Sequence, residues 1–92
     1  MSTNNLYIGN FPETVNRNSI SELFSQVGRV ESVMIIRDKY SGKSRMFGFV
    51  TMSNSKEAEN AVMKFNGNIY WGSKFIVNPS NFKTNQEVEI RN

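Results

Sequence analysis

Arg45-Met46-Phe47-Gly48-Phe49-Val50-Thr51-Met52 is the stretch on which the fold turns. Eight residues rich in aromatic and β-branched types, with no helical spacing, read as a strand. Successive strand side chains point to opposite faces. Arg45, Phe47, Phe49 and Thr51 therefore share one face, and Met46, Gly48, Val50 and Met52 share the other. Large apolar side chains stand on both, so the helices available to cover them decide what each face does.

On the N-terminal side, Val30 to Arg37 (VESVMIIR) alternates as another strand, with Val33 and Ile35 opposite Met34 and Ile36. Asp38 to Ser44, containing Ser41-Gly42, reads as the loop between these two strands. Farther out, Ile20, Leu23, Phe24 and Val27 recur at helical spacing. Asn16 suits the N-cap of that helix and Gly28 the residue just past its end. Leu6-Tyr7-Ile8 is a first strand, closed by Gly9-Asn10 and turned away by Phe11-Pro12.

On the C-terminal side, Ala58, Ala61, Val62 and Phe65 predict a second helix, with Asn54 and Glu57 in a capping arrangement and Asn66-Gly67 at its end. Tyr70-Trp71-Gly72 reads as a turn, and Lys74 to Asn78 (KFIVN) as a last strand stopped by Pro79. The expected organisation is a flexible terminus at 1–4, one domain at 5–80, and a polar tail at 81–92.

The order β-α-β-β-α-β predicts an α+β, ferredoxin-like sandwich: a four-stranded antiparallel sheet with both helices on one face. Right-handed crossovers place the first and third strands at the sheet centre. The expected core joins Leu6, Ile8, Val30, Val33, Ile35, Gly48, Val50, Met52, Phe75 and Val77 to the helical stripes. Period 2 then forces Tyr7, Phe47, Phe49, Met34, Ile36 and Ile76 outward, with no helix left to cover them. Such an apolar patch exceeds what an idle surface tolerates. Either the tail or a second chain covers it, or it binds something.

Charge narrows the choice. Arg37, Lys39, Lys43 and Arg45 with Asp38 carry the whole net charge of +3 within nine residues, and the other 83 residues are balanced. Aromatic rings beside a basic loop suit single-stranded nucleic acid, in which bases stack and phosphates meet cations.

Composition supplies the exclusions. With 92 residues there is room for one domain. Zero Cys and zero His remove disulfides, a thiolate zinc site and the commonest general base. No apolar run reaches the roughly 20 residues of a membrane span, and no signal sequence opens the chain. The expectation is a free-standing, soluble monomer without cofactor or metal and off the membrane, cytoplasmic, or nuclear if the source is eukaryotic.

The octamer also resembles that of the RNA-recognition motif family, K/R-G-F/Y-G/A-F-V-x-F/Y, fitting six of eight positions including the free one. Leu6-Tyr7-Ile8-Gly9-Asn10-Phe11 is similar to the family's companion hexamer and departs only at its last position. Leu23 to Gly28, Asp38, Gly42, Asn66-Gly67 and Gly72 fall where the family puts such residues, and the likeness covers about residues 5–80.

The resemblance implies an RNA-binding module. Tyr7 and Phe49 would each stack on a base, Phe47 would pack on sugars, and Arg45 would pair with a phosphate. By the charge cluster, rather than the resemblance, Lys43, Lys39 and Arg37 would contact phosphates from the loop. By strand period, Met34 and Ile76 would share the face with the rings. Asn78 and Ser80 would offer polar groups to base edges, and Phe82 a further apolar contact. Two platforms and a charge contact imply about micromolar affinity for single-stranded RNA, with single-stranded DNA left open.

Met46 and Met52 depart from the octamer without removing a ring. A protein-binding variant of the fold is the alternative. It would carry an Arg-aromatic-Phe signature where this chain has Asn68-Ile69-Tyr70. An enzyme is disfavoured, because Asn10-Phe11-Pro12-Glu13 offers no anion-cradling Arg or Gly cluster.

Overall fold

Two amphipathic helices can cover only one side of a sheet. In a computed structural model, which describes residues 3–36 and 45–81, the chain runs β1 (Asn5–Pro12), α1 (Arg17–Phe24), β2 (Val30–Ile36), β3 (Arg45–Met52), α2 (Ser55–Phe65), β4 (Ile69–Tyr70), β5 (Ser73–Lys74) and β6 (Ile76–Ser80). The large sheet has the order β2-β3-β1-β6 with antiparallel neighbours throughout. This is the expected ferredoxin-like arrangement, with the first and third strands central.

Both helices begin on an asparagine. The Asn16 side-chain oxygen accepts from the Ser19 N–H at 3.0 Å, and that of Asn54 from the Glu57 N–H at 2.8 Å. Each cap satisfies an amide that the helix itself leaves free, worth about 1 kcal/mol.

The end of α1 differs from expectation. The helix stops at Phe24, and the Gln26 and Val27 N–H groups bond to the Leu23 and Phe24 carbonyls at 3.2 and 3.1 Å, tightening the last turn. Gly28 is not in the left-handed region. It is needed for space, because a Cβ there would run into the Glu57 side chain. Glu57 Oε1 accepts from the Ser53 hydroxyl at 2.6 Å and the Arg29 N–H at 3.0 Å. The start of α2 is thereby stapled to the α1–β2 connection. Those two bonds hold the Glu57 carboxyl below its ordinary value near 4.5, against an opposing push from burial.

The core is aromatic at its centre. Phe24 lies 4.9 Å from Phe65 and 6.1 Å from Phe75 between ring centroids, and Phe11 lies 6.0 Å from Phe75. All four are fully buried.

Phe11 was expected to turn the chain away, yet β1 continues to Pro12. The β1–β3 register shifts between Gly9 and Phe11, and Asn10 adopts φ 62°. One extra residue resets the alternation, so Phe11 follows Leu6 and Ile8 inward. Val15 is buried beyond it, and Met46, opposite Phe11, is 6% exposed. The methionine that departs from the octamer is absorbed by packing. Gly48 stays small because a Cβ would strike the main chain of Met34 on β2.

The last strand also differs. Lys74 belongs to the β4–β5 hairpin, where Ile69 pairs with Lys74 and Tyr70 with Ser73. Trp71 and Gly72, at φ 53° and 76°, form the two-residue turn whose twist suits a hairpin. Strand β6 then runs through Pro79, which pairs with Leu6. An edge strand tolerates the missing N–H.

Residues 3 and 4, expected to be loose, are tied to the sheet. The Thr3 hydroxyl donates to the Ser80 carbonyl at 2.8 Å, and the Asn4 amide to the Met52 carbonyl at 2.7 Å.

Candidate nucleic-acid interface

Pairing registers arrange the face opposite the helices as three rungs across β2, β3, β1 and β6. Ile36, Phe47, Gly9 and Ile76 form one; Met34, Phe49, Tyr7 and Asn78 form the next; Ser32, Thr51, Asn5 and Ser80 form the third. The face grades from apolar to polar along the strands. The three exposed-face rings meet at its centre because Tyr7 pairs directly with Phe49 and Gly9 with Phe47.

Tyr7 lies 6.1 Å from Phe47 at an interplanar angle of 30°, and 5.9 Å from Phe49 at 68°. Phe47 and Phe49 are 6.4 Å apart, edge to face. All three rings are half-buried rather than open on every side. They shield one another's edges, and neither helix lies over them. Met34 and Ile36 are half-buried on the β2 side, and Ile76 is 36% exposed on the β6 side.

The structure brings together seven of the eleven expected site residues by backbone register: Tyr7, Phe47, Phe49, Met34, Ile76, Asn78 and Ser80. Asn78 is exposed beside Tyr7, and the Ser80 carbonyl is engaged by Thr3. Arg45 opens β3 opposite Pro12. Arg37, Lys39 and Lys43 lie outside the described residues, as does Phe82.

Sequence reasoning passed over Asn5 and Thr51. They are 3% and 1% exposed, and the Thr51 hydroxyl donates to the Asn5 side-chain oxygen at 2.8 Å. This bond ties the two strands that carry the three rings, one rung beyond them. The signal was present: Thr51 alternates in phase with Phe47 and Phe49, and Asn5 with Tyr7.

Among the described residues, no three His, Cys, Asp or Glu side chains cluster in a way that could hold a metal, and no helix is long and apolar enough to cross a membrane.

Known proteins share this pattern. The chain is 45% identical over 73 residues to the small ribosomal subunit protein cS22 of Arabidopsis thaliana, covering 79% of this chain and 29% of that protein. It is 50% identical over 62 residues to a 31 kDa chloroplastic ribonucleoprotein of Nicotiana plumbaginifolia, covering 67% of this chain and 21% of that one. The chain thus spans less than a third of the length of these relatives. The solved structure of an RNA-binding protein, PG1, superposes with a TM-score of 0.77 at 33% identity, covering 89% of this chain and 98% of that one.

The chloroplast ribonucleoprotein among these relatives overturns the expectation of a cytoplasmic or nuclear protein. The absence of cysteine bears on redox chemistry and carries no address. The model of the RNA recognition motif matches residues 6–77, most of the span that builds the sheet, its covering helices and the three rings on the face opposite them, and the chain belongs to the RNA recognition motif family.

Proposed function

We propose that the chain binds single-stranded RNA on the open sheet face, as a monomer and without catalysis. The observation that carries this reading is the Tyr7, Phe47 and Phe49 cluster on the central strands, in mutual contact and away from both helices. Every base has a π-face, so rings of this kind accept bases without requiring a particular sequence.

Tyr7 and Phe49 stack on successive bases, Phe47 packs on the sugar between them, and Met34 and Ile76 flank the platform. Asn78, paired with Tyr7, and Ser80, one rung farther on, offer polar groups to base edges. Arg45 and the loop cations Arg37, Lys39 and Lys43 meet phosphates, which positions the strand without reading it. All three rings come from one chain, so one chain is a complete binding unit. The chloroplast location of a relative makes plastid transcripts the natural RNA of this reading.

Titration of a labelled single-stranded RNA octamer tests it. Wild type should bind at about micromolar Kd, and Phe49→Ala should bind more weakly by about 1–3 kcal/mol. Equal affinity of the two proteins would remove the rings from the site. A single-stranded DNA octamer of the same sequence, titrated alongside, measures the contribution of the 2′-hydroxyls.

A further inference from the structure

Gly9 occupies the one position on the apolar rung that has no side chain, between Phe47 on β3 and Ile76 on β6. Its backbone does not call for glycine: φ is not positive there, unlike at Gly67 and Gly72. The left-handed residue of the β1 irregularity is the neighbouring Asn10, at φ 62°. Conformation therefore leaves the glycine unexplained.

Space explains it. A Cβ built on Gly9 would stand 2.8 Å from the Tyr7 hydroxyl and 3.1 Å from the Tyr7 Cε2 and Cζ atoms, and these three are its nearest neighbours. The phenol ring thus leans one rung along its own strand and lies over Gly9, which is buried beneath it. It is also inclined only 30° to the Phe47 ring beside it. A ring lying along the sheet offers its face outward, and a ring standing up from the sheet offers an edge.

We infer that Gly9 is a positioning residue for RNA: its missing side chain lets Tyr7 lie flat, which makes that ring a stacking platform. The inference rests on the binding reading above. It adds that the platform depends on a residue that need not touch the ligand. The group in the way of a Cβ is the far end of a side chain, which can swing aside. An added methyl should therefore lift the ring and leave the strand intact.

A double-mutant cycle with Gly9→Ala and Tyr7→Ala tests this, reading Kd for a single-stranded RNA octamer and the melting temperature of each variant. In the wild-type background Gly9→Ala should weaken binding about fivefold or more, approaching the loss of one stacked base. In the Tyr7→Ala background the same substitution should change Kd less than about twofold, because the ring it displaces is gone. A general structural role for Gly9 would give the same loss in both backgrounds and overturn the inference.

Undiminished binding by Gly9→Ala, with Tyr7→Ala weakened, would also overturn it while leaving the binding reading intact. Undiminished binding by Tyr7→Ala would sink both. If Gly9→Ala does not fold, the double variant must fold, since the obstructing ring is absent. Its failure to do so would overturn the inference as well.

Discussion

The two faces of the sheet carry similar residues and put them to different uses. On the covered face, Phe11 packs against Phe75, Phe75 against Phe24 of the first helix, and Phe24 against Phe65 of the second, and all four are fully buried. On the open face, Tyr7, Phe47 and Phe49 touch one another at comparable centroid distances of 5.9 to 6.4 Å and remain half-buried. Aromatic contact alone does not distinguish a core from a binding surface. The presence of a helix over the rings does. A fully buried ring has no surface left to offer a ligand, whereas a half-buried ring does.

Substitutions on the two faces should separate stability from binding. The largest effect belongs to the core: Phe75→Ala removes a ring in contact with Phe11, Phe24, Tyr70 and Trp71. It should cost about 3–5 kcal/mol in urea denaturation. A loss under 1 kcal/mol would mean that the covered face is not the core. Phe49→Ala should do the reverse. It should lower stability by no more than about 1 kcal/mol, even as RNA affinity falls by about 1–3 kcal/mol. A collapse of the melting transition would break the contrast between the faces.

Smaller changes sharpen the comparison. Asn54→Ala frees the Glu57 N–H at the start of α2 and should cost about 1 kcal/mol of stability with RNA affinity unchanged. Glu57→Gln adds a pH signature. The folded state holds this carboxyl below its ordinary value. Its stabilising contribution is therefore complete above the unfolded pKa, and it disappears as pH falls through the lower folded one. Wild type should melt above Glu57→Gln at pH 7, and the gap should close as the pH drops below about 4. A gap independent of pH would show that charge at Glu57 does not hold the staple. Last, Lys43→Ala should flatten the dependence of log Kd on log salt by about one phosphate contact, equally for all RNA sequences. An unaltered slope would take the basic loop out of the interface.

Much of this was legible along the chain. Alternation within Arg45 to Met52 separates Phe47 and Phe49 from Val50 and Met52, and burial follows that division. Asn16 and Asn54 declare both helix starts through local chemistry. Misreadings occurred where local signals meet long-range constraint. Phe11-Pro12 looks like a turn, but the shift at Asn10 carries Phe11 into the core against Phe75, 64 residues away in the sequence. Gly28 looks like a helix terminator, but its space is taken by Glu57. Pro79 looks like a strand stop, but β6 is the last strand of the sheet among the described residues. The polar pair Asn5 and Thr51 could be placed on the open face by phase, but their hydrogen bond depends on pairing between strands far apart in sequence.

By itself the sequence determined the order of elements, the face on which each strand residue lies, and the presence of three rings that two helices could not cover. Those properties follow from side-chain period and stripe width, both local. Only the tertiary structure decided which rings stand side by side, that Tyr7 lies over Gly9, and that Glu57 closes the gap at Gly28. Those depend on register between distant strands, which the packing of the whole core selects and no single segment encodes.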